Sequence, residues 1–303
     1  MDGAARRELA RNAESGQLVR LAPGAYANAE HLGAVSRRAR YVAWVRAVAA
    51  TRRSGQVISH YSAAALHGLP LLSPHDRWVH VTVPPERGGR RRAGVVSHPL
   101  KLHPDEVVEI DGIAVTSIER TVLDVASCND QRAALVMADR AILVDRREKV
   151  SALTTKDALL AALDSAASFR AHARVRGILD LASTQAESPL ETVSRWGMIR
   201  IGCPLPVLQE HFVDEAGEIG FSDFHWPEFD IVGEADGAIK YLDAAFRNGK
   251  SAEQVVLDEK EREDRIRALP KTFARWNWAV AIDEQKLAAR LRKAGLPIPL
   301  RRV

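Results

Sequence analysis

The sequence predicts an α+β chain of two domains. Three observations carry this. The length of 303 residues is enough for two ordinary cores. Helical and strand periodicities are interspersed through residues 1–180. After Ser188 the order becomes helix, three strands, helix, strand, which suits a small mixed α/β domain.

Composition sets the class. Hydrophobic residues make up 46% and charged residues 27%, as in a soluble globular protein. No apolar run reaches about 18 residues, so no membrane helix is expected. The start, MDGAARRELARNAESG, lacks the apolar centre of a signal peptide. Cys128 and Cys203 are the only cysteines. They provide neither a disulfide framework nor zinc spacing, so a reducing cytoplasm is expected.

The elements follow in order. Residues 4–14 read as a helix that Gly16 ends. Gln17–Arg20 and Ala25–Ala27 read as two strands around Ala22-Pro23-Gly24. Helix, turn and two-stranded wing make the second half of a winged helix, truncated of its first helices. Residues 35–53 form an amphipathic helix, with Val35, Val42, Val45 and Val48 opposite Arg38, Arg46, Arg52 and Arg53. Ser59 caps a short helix that ends at Gly68. Trp78–Val83, Gly94–Pro99 and Ile113–Thr116 are strands, and Pro84–Gly94 is a loop carrying four arginines. The acidic run Asp105–Asp111 reads as a surface turn. Helices follow at about 117–127, 131–143, 154–164 and 170–183.

Ser188-Pro189-Leu190-Glu191 is a capping box with proline at the first helical position. Its helix stops at Gly202. Val207–Val213, Ile219–Phe224 and Phe229–Glu234 form a meander. A charged helix spans about 252–268, and Phe273–Ile282 returns as a strand. A partial winged-helix-like segment is therefore placed at 1–52, and the two domains at 53–180 and 181–303.

Charge divides along the same line. Residues 1–180 carry 26 Lys+Arg against 19 Asp+Glu, and residues 181–303 carry 17 against 20. A basic half attracts a polyanion, and an acidic half can gather carboxylates about a metal. The candidate phosphate contacts are Arg20, Arg87, Arg90, Arg91 and Arg92. A solvated loop explains the last four equally well.

GQLVRLAPGAYA (16–27), SHYSAAALHGLPL (59–71) and TSIERTVLDVA (116–126) together resemble the AbiEi family of abortive-infection antitoxins. That resemblance implies a DNA-binding winged helix and a domain that neutralises a nucleotidyltransferase-like toxin. SPLE (188–191), GFSDFHWPEFDIVGEADGAIKY (220–241) and DEKEREDRIRAL (258–269) resemble the very-short-patch-repair-like domains of the PD-(D/E)xK nuclease fold. The resemblance implies a restriction-endonuclease-like mixed α/β domain more firmly than an activity.

Phosphodiester hydrolysis calls for a divalent ion, Mg²⁺ or Mn²⁺, and Mg²⁺ takes a few carboxylates. Asp223 and Glu234 close neighbouring strands, and Glu191 on the preceding helix is the third acid. Asp236 lies two residues from Glu234, on the same face, where a typical nuclease has lysine. Lys240 stands where related domains carry histidine. The catalytic set is thus Glu191, Asp223, Glu234, Asp236 and Lys240, the first three also being metal ligands. Trp226 is the best base-stacking candidate among Trp226, Trp276 and Trp278, and Arg262 is a further phosphate contact. Core packing explains the tryptophans, strand-end solvation Asp223 and Glu234, and helix capping Glu191. His60 and His67, seven apart, read as structural.

Two functional expectations follow. One is a metal-dependent DNA endonuclease. The other is a non-catalytic antitoxin-like regulator of a toxin–antitoxin or phage-defence system, whose partners are DNA or a cognate toxin. A toxin partner with no nucleic-acid role is the third possibility.

Overall fold

The computed structural model describes residues 3–51, 55–72, 78–146, 150–166, 171–236, 261–262, 264–266, 268–269 and 271–299. The fold is mixed α/β, and no described helix is long and apolar enough to cross a membrane. The chain divides into two compact units: residues 1–142 with 152–182, and residues 143–151 with 183–303.

The first unit opens with α1 (Gly3–Glu14) and the antiparallel pair β1 (Leu18–Ala22) and β2 (Ala25–Asn28). Gly24, at φ 82°, makes the tight turn between them. The helix expected over 35–53 begins at Arg37, after a separate short helix. Asn28 caps α2 (Ala29–Ala34), and Ser36 then caps α3 (Arg37–Ala50). Val35 is left outside both helices, 42% exposed. Arg52 and Arg53 lie outside the described residues.

A six-stranded mixed sheet follows, built from β3 (Val57–Ile58), β4 (Val79–Val83), β5 (Arg90–Arg92), β6 (Val95–Pro99), β7 (Val107–Ile110) and β8 (Ile113–Thr116). Its spatial order is β5-β6-β4-β3-β8-β7. Two local expectations change. Arg90–Arg92, expected in a loop, form edge strand β5 antiparallel to β6. Val107–Ile110, expected in a turn, form β7, because the real turn is the tight Asp111-Gly112 reversal into β8. Tyr41, Val45 and Val48 of α3 pack on Val79, Val81, Val95 and Val115 of this sheet.

Between β3 and β4 runs α4 (His60–Leu66), followed after the sheet by α5 (Ile118–Ser127), α6 (Gln131–Ile142), α7 (Lys156–Ser165) and α8 (His172–Leu181). Ser117 and Thr155 accept the first free N–H groups of α5 and α7. Every residue from Arg120 to Ala126 is buried, so α5 is the central helix of this unit.

The second unit has α9 (Pro189–Arg200), strands β9 (Val207–Asp214), β10 (Gly217–Trp226) and β11 (Ile231–Asp236), helical positions 261–262, 264–266 and 268, then β12 (Thr272–Asn277), α10 (Trp278–Ala281) and α11 (Glu284–Lys293). The strand expected to reach Ile282 stops at Asn277, whose side chain accepts from the Val280 N–H and starts α10. The sheet order is β12-β11-β10-β9, with only the β11–β12 pair parallel.

The two faces of this sheet differ. Phe224, Gly233, Trp226 and Trp276 lie together on one, where Trp276 Nε1 donates to Ser194 Oγ of α9 at 2.8 Å. Val232 and Phe273, of opposite parity, pack with Phe212, Ile219 and Ile266 on the other.

Candidate functional site

Asp223 and Glu234 are cross-strand neighbours. The β10–β11 register pairs Phe224 with Gly233, so the next antiparallel pair is Asp223 with Glu234. Both are 7% exposed. Asp223 Oδ2 accepts the Ala235 N–H at 2.7 Å, which orients that carboxylate toward β11. The β11–β12 register places Arg275 beside Glu234, and the β9–β10 register places Gln209 across from Asp223. One level of the sheet therefore reads Gln209, Asp223, Glu234, Arg275.

Cations complete this level. Arg262 sets NH1 and NH2 each 3.2 Å from Glu234, one on either carboxylate oxygen, and donates from NH1 to the Phe221 carbonyl at 2.7 Å. Arg275 lies 3.2 Å from Asp236, which pairs the second acid of the Glu234-Ala235-Asp236 triplet. The triplet, read as lacking its lysine, thus meets a guanidinium from the adjacent strand. Lys240 lies outside the described residues.

Glu191 stands one residue removed. It is 3% exposed and tied at both oxygens. Oε1 accepts from Ser188 Oγ at 2.7 Å, and Oε2 from the Glu187 N–H at 2.9 Å and Gln209 Nε2 at 2.8 Å. This is a capping box shifted by one, since the side chain reaches the Glu187 N–H instead of that of Ser188. Gln209, at φ 53°, links Glu191 to the Asp223 level and accepts from Arg146 at 2.7 Å. Arg146 also lies 3.7 Å over the Phe221 ring and 2.7 Å from Glu187. Among the described residues no group of three or more His, Cys, Asp or Glu side chains could hold a metal ion.

Trp226 is corrected from base-stacker to core. It is 2% exposed and donates from Nε1 to the Pro204 carbonyl at 2.8 Å, so it offers no face to a base. In the first unit, Arg20, Arg87, Arg90, Arg91 and Arg92 are all exposed. Arg91 lies 4.9 Å over the Trp78 ring.

A second polar cluster, in the first unit, was not legible from the sequence. His60 of α4 stacks on His98 of β6 with centroids 3.7 Å apart, and His98 Nε2 is 2.9 Å from His80 Nδ1 of β4. Asp124 of α5 lies beside them, its Oδ2 3.6 Å from His60 Nδ1. Four elements supply these groups, so no linear spacing marks them.

Comparison with known proteins finds no matching family model, and no curated protein or solved structure matches the chain.

Proposed function

We propose that this chain acts on nucleic acid as a divalent-metal-dependent DNA endonuclease. The supporting observation is the Asp223–Glu234 cross-strand pair: two nearly buried carboxylates at one level of the sheet, one of them aimed by a backbone N–H. Such a pair fits Mg²⁺ or Mn²⁺, because Mg²⁺ takes one or two carboxylates and keeps several waters. When bound, the ion neutralises phosphoryl charge and makes its water more acidic.

The chain's own residues do the rest in this reading. Asp223 and Glu234 hold the ion. Arg262, already at Glu234, turns a guanidinium edge to the phosphate. Glu191 fixes Gln209 and the start of α9. Lys240 donates to the attacking or leaving oxygen, which ionised carboxylates cannot do. Arg20, Arg87 and Arg90 to Arg92 grip the DNA backbone. A cytoplasmic location goes with this role.

The second reading is a non-catalytic antitoxin-like regulator of a nucleotidyltransferase-like toxin. One observation favours it: Glu191 is occupied by the helix cap and Glu234 by Arg262. The deciding experiment incubates the full chain with plasmid, single-stranded and mismatched DNA in Mg²⁺ or Mn²⁺. The endonuclease reading expects cutting that Asp223→Asn, Glu234→Gln and Lys240→Ala each abolish. Inert wild-type protein with every metal and substrate rejects it in favour of the regulator.

A further inference from the structure

The first unit contains a cavity of about 610 Å³ between the β1–β2 turn, α3 and the β5–β6 hairpin. That volume lies in the range of small-molecule sites. Its floor is apolar: Ala22, Val48 and Val95 are 6%, 5% and 3% exposed. Half-buried Trp44 of α3 makes a side wall. The ring seats against Gly94, where a Cβ would stand 2.8 Å from Trp44 Cζ2. Ala93 and Gly94, at φ 49° and 75°, form the two-residue turn that joins β5 to β6. Ala93 of that turn also lines the cavity.

Positive charge stands beside this apolar floor. Among the described residues that line the cavity, Arg87 and Arg90 are the charged ones, and none is acidic. Both are exposed, and neither guanidinium has a hydrogen-bond or ion-pair partner among the described residues. Nearby arginines differ. Arg46 of α3 has Asp111 at 2.6 Å, and Arg91 has the Trp78 ring. Residues 84–99 hold four arginines and one acid, Glu86, so the local field favours an anion. A carboxylate carries one charge and would answer one guanidinium. A phosphodiester inside a strand also carries only one. A phosphate monoester carries about −1.5 to −2 at pH 7 and presents three acceptor oxygens, enough for both arginines.

We propose that this cavity binds a nucleoside 5′-monophosphate, either free or as the phosphorylated end of a DNA strand. The phosphate sits between Arg87 and Arg90. The base lies on Val48 and Val95 beside Trp44, where an apolar surface takes any base without reading its sequence. The proposal rests on the nucleic-acid reading for its class of ligand and extends that reading from backbone contacts to a pocket. The site lies wholly in the first unit and requires neither the Asp223–Glu234 pair nor a metal ion.

The test is calorimetry and thermal shift on the full chain, in buffer containing a metal chelator, with dAMP and TMP. Deoxyadenosine and 2-deoxyribose 5-phosphate are the controls, being dAMP without its phosphate and without its base. The nucleotides should bind and raise Tm, as a ligand of the folded state must. dAMP should bind about tenfold tighter than either control, since base packing and the charged contacts each contribute. Arg87→Gln and Arg90→Gln should each weaken dAMP by about fivefold, the scale of one exposed charge-assisted contact. Pro23→Trp fills the cavity from an exposed turn position, so it should abolish binding while the ligand-free Tm stays near that of the parent. Displacement of dAMP by a 5′-phosphorylated oligonucleotide, and not by its 5′-hydroxyl counterpart, supports the site with strand ends as its source. Displacement by neither supports it with free nucleotide as the source. The proposal is overturned if neither nucleotide binds, if either control binds as well as dAMP, if the 5′-hydroxyl oligonucleotide displaces dAMP equally well, or if Pro23→Trp binds like the parent. Absent nucleotide binding with plasmid cutting intact rejects this site alone, and nucleotide binding by a protein that cuts nothing rejects the endonuclease reading alone.

Discussion

Gly233 sits where the core of the second unit has no room for a side chain. A Cβ there would lie 2.8 Å from Trp276 Cη2, 3.0 Å from Trp226 Cζ3 and 3.1 Å from Trp276 Cζ3. Carbon atoms at ease stand about 3.5–4.0 Å apart. Neither ring can give way cheaply. Both are 2% exposed, and their indole N–H groups are anchored on Ser194 and Pro204. Two effects oppose each other in Gly233→Ala. Removing a glycine from the unfolded chain gains about 0.4–1 kcal/mol, and overpacking a core costs about 1–3 kcal/mol. Slippage of one indole hydrogen bond adds about 1 kcal/mol. The overpacking should win, for a net loss of about 2 kcal/mol. Urea unfolding followed by tryptophan fluorescence should show a midpoint lower by about 1 M at an ordinary denaturant slope. Trp276→Phe removes the ring carbons that overlap, so the double variant should recover about 1 kcal/mol relative to additivity. A Gly233→Ala protein as stable as the parent, or a strictly additive pair, would refute the steric reasoning.

Other expectations are checked more simply. Arg262→Ala leaves the Glu234 side chain, 10% exposed, without its guanidinium partner. The loss should be about 2 kcal/mol, below the roughly 3–5 of a fully buried pair because Arg262 is itself a fifth exposed; the Tm reads it. Glu191→Gln turns one acceptor oxygen into a donor facing other donors. It should cost about 1–3 kcal/mol in metal-free buffer, whereas a residue that only binds metal would leave metal-free stability unchanged. Acid should destabilise the first unit. His60 and His98 titrate below their ordinary value of 6.5 in the fold, so the unfolded chain binds their protons first and stability falls as pH drops below 6.5. Asp124, raised to about 6, opposes this between pH 6 and 3.8, but one carboxyl faces two imidazoles. Urea midpoints at pH 7.5 and 4.5 decide it, and equal midpoints would contradict the burial of these rings.

Two helix starts were legible from their caps. Ser188 with Pro189 marks the start of α9, and Ser117 that of α5, because each side-chain oxygen satisfies an N–H no helix can satisfy internally. The edge strand of arginines was not legible, because its pairing comes from Val95–Ser97 and not from its own residues. The acidic site was legible in part. Asp223 and Glu234 fall eleven apart across a tight turn, a separation sequence can convert into a cross-strand pair. Arg275 and Gln209, from the outer strands, could not be placed beside them without the register. The His60–His98–Asp124 cluster was invisible for the same reason: its members come from positions 60, 98 and 124, and only the tertiary fold assembles them.

Strand β5 has a consequence for how copies of this chain behave toward one another. It forms an outer edge of the six-stranded sheet, where backbone donors and acceptors invite another strand to dock. All three of its residues are arginines, and all are exposed. A second copy approaching edge to edge would bring six guanidinium groups together, and their repulsion keeps the sheet from growing between molecules. That protection is electrostatic and has a range of about 8–10 Å at physiological salt. Concentrated salt or a bound polyanion would screen it, so self-association along this edge should become easier under the conditions in which the arginines are neutralised.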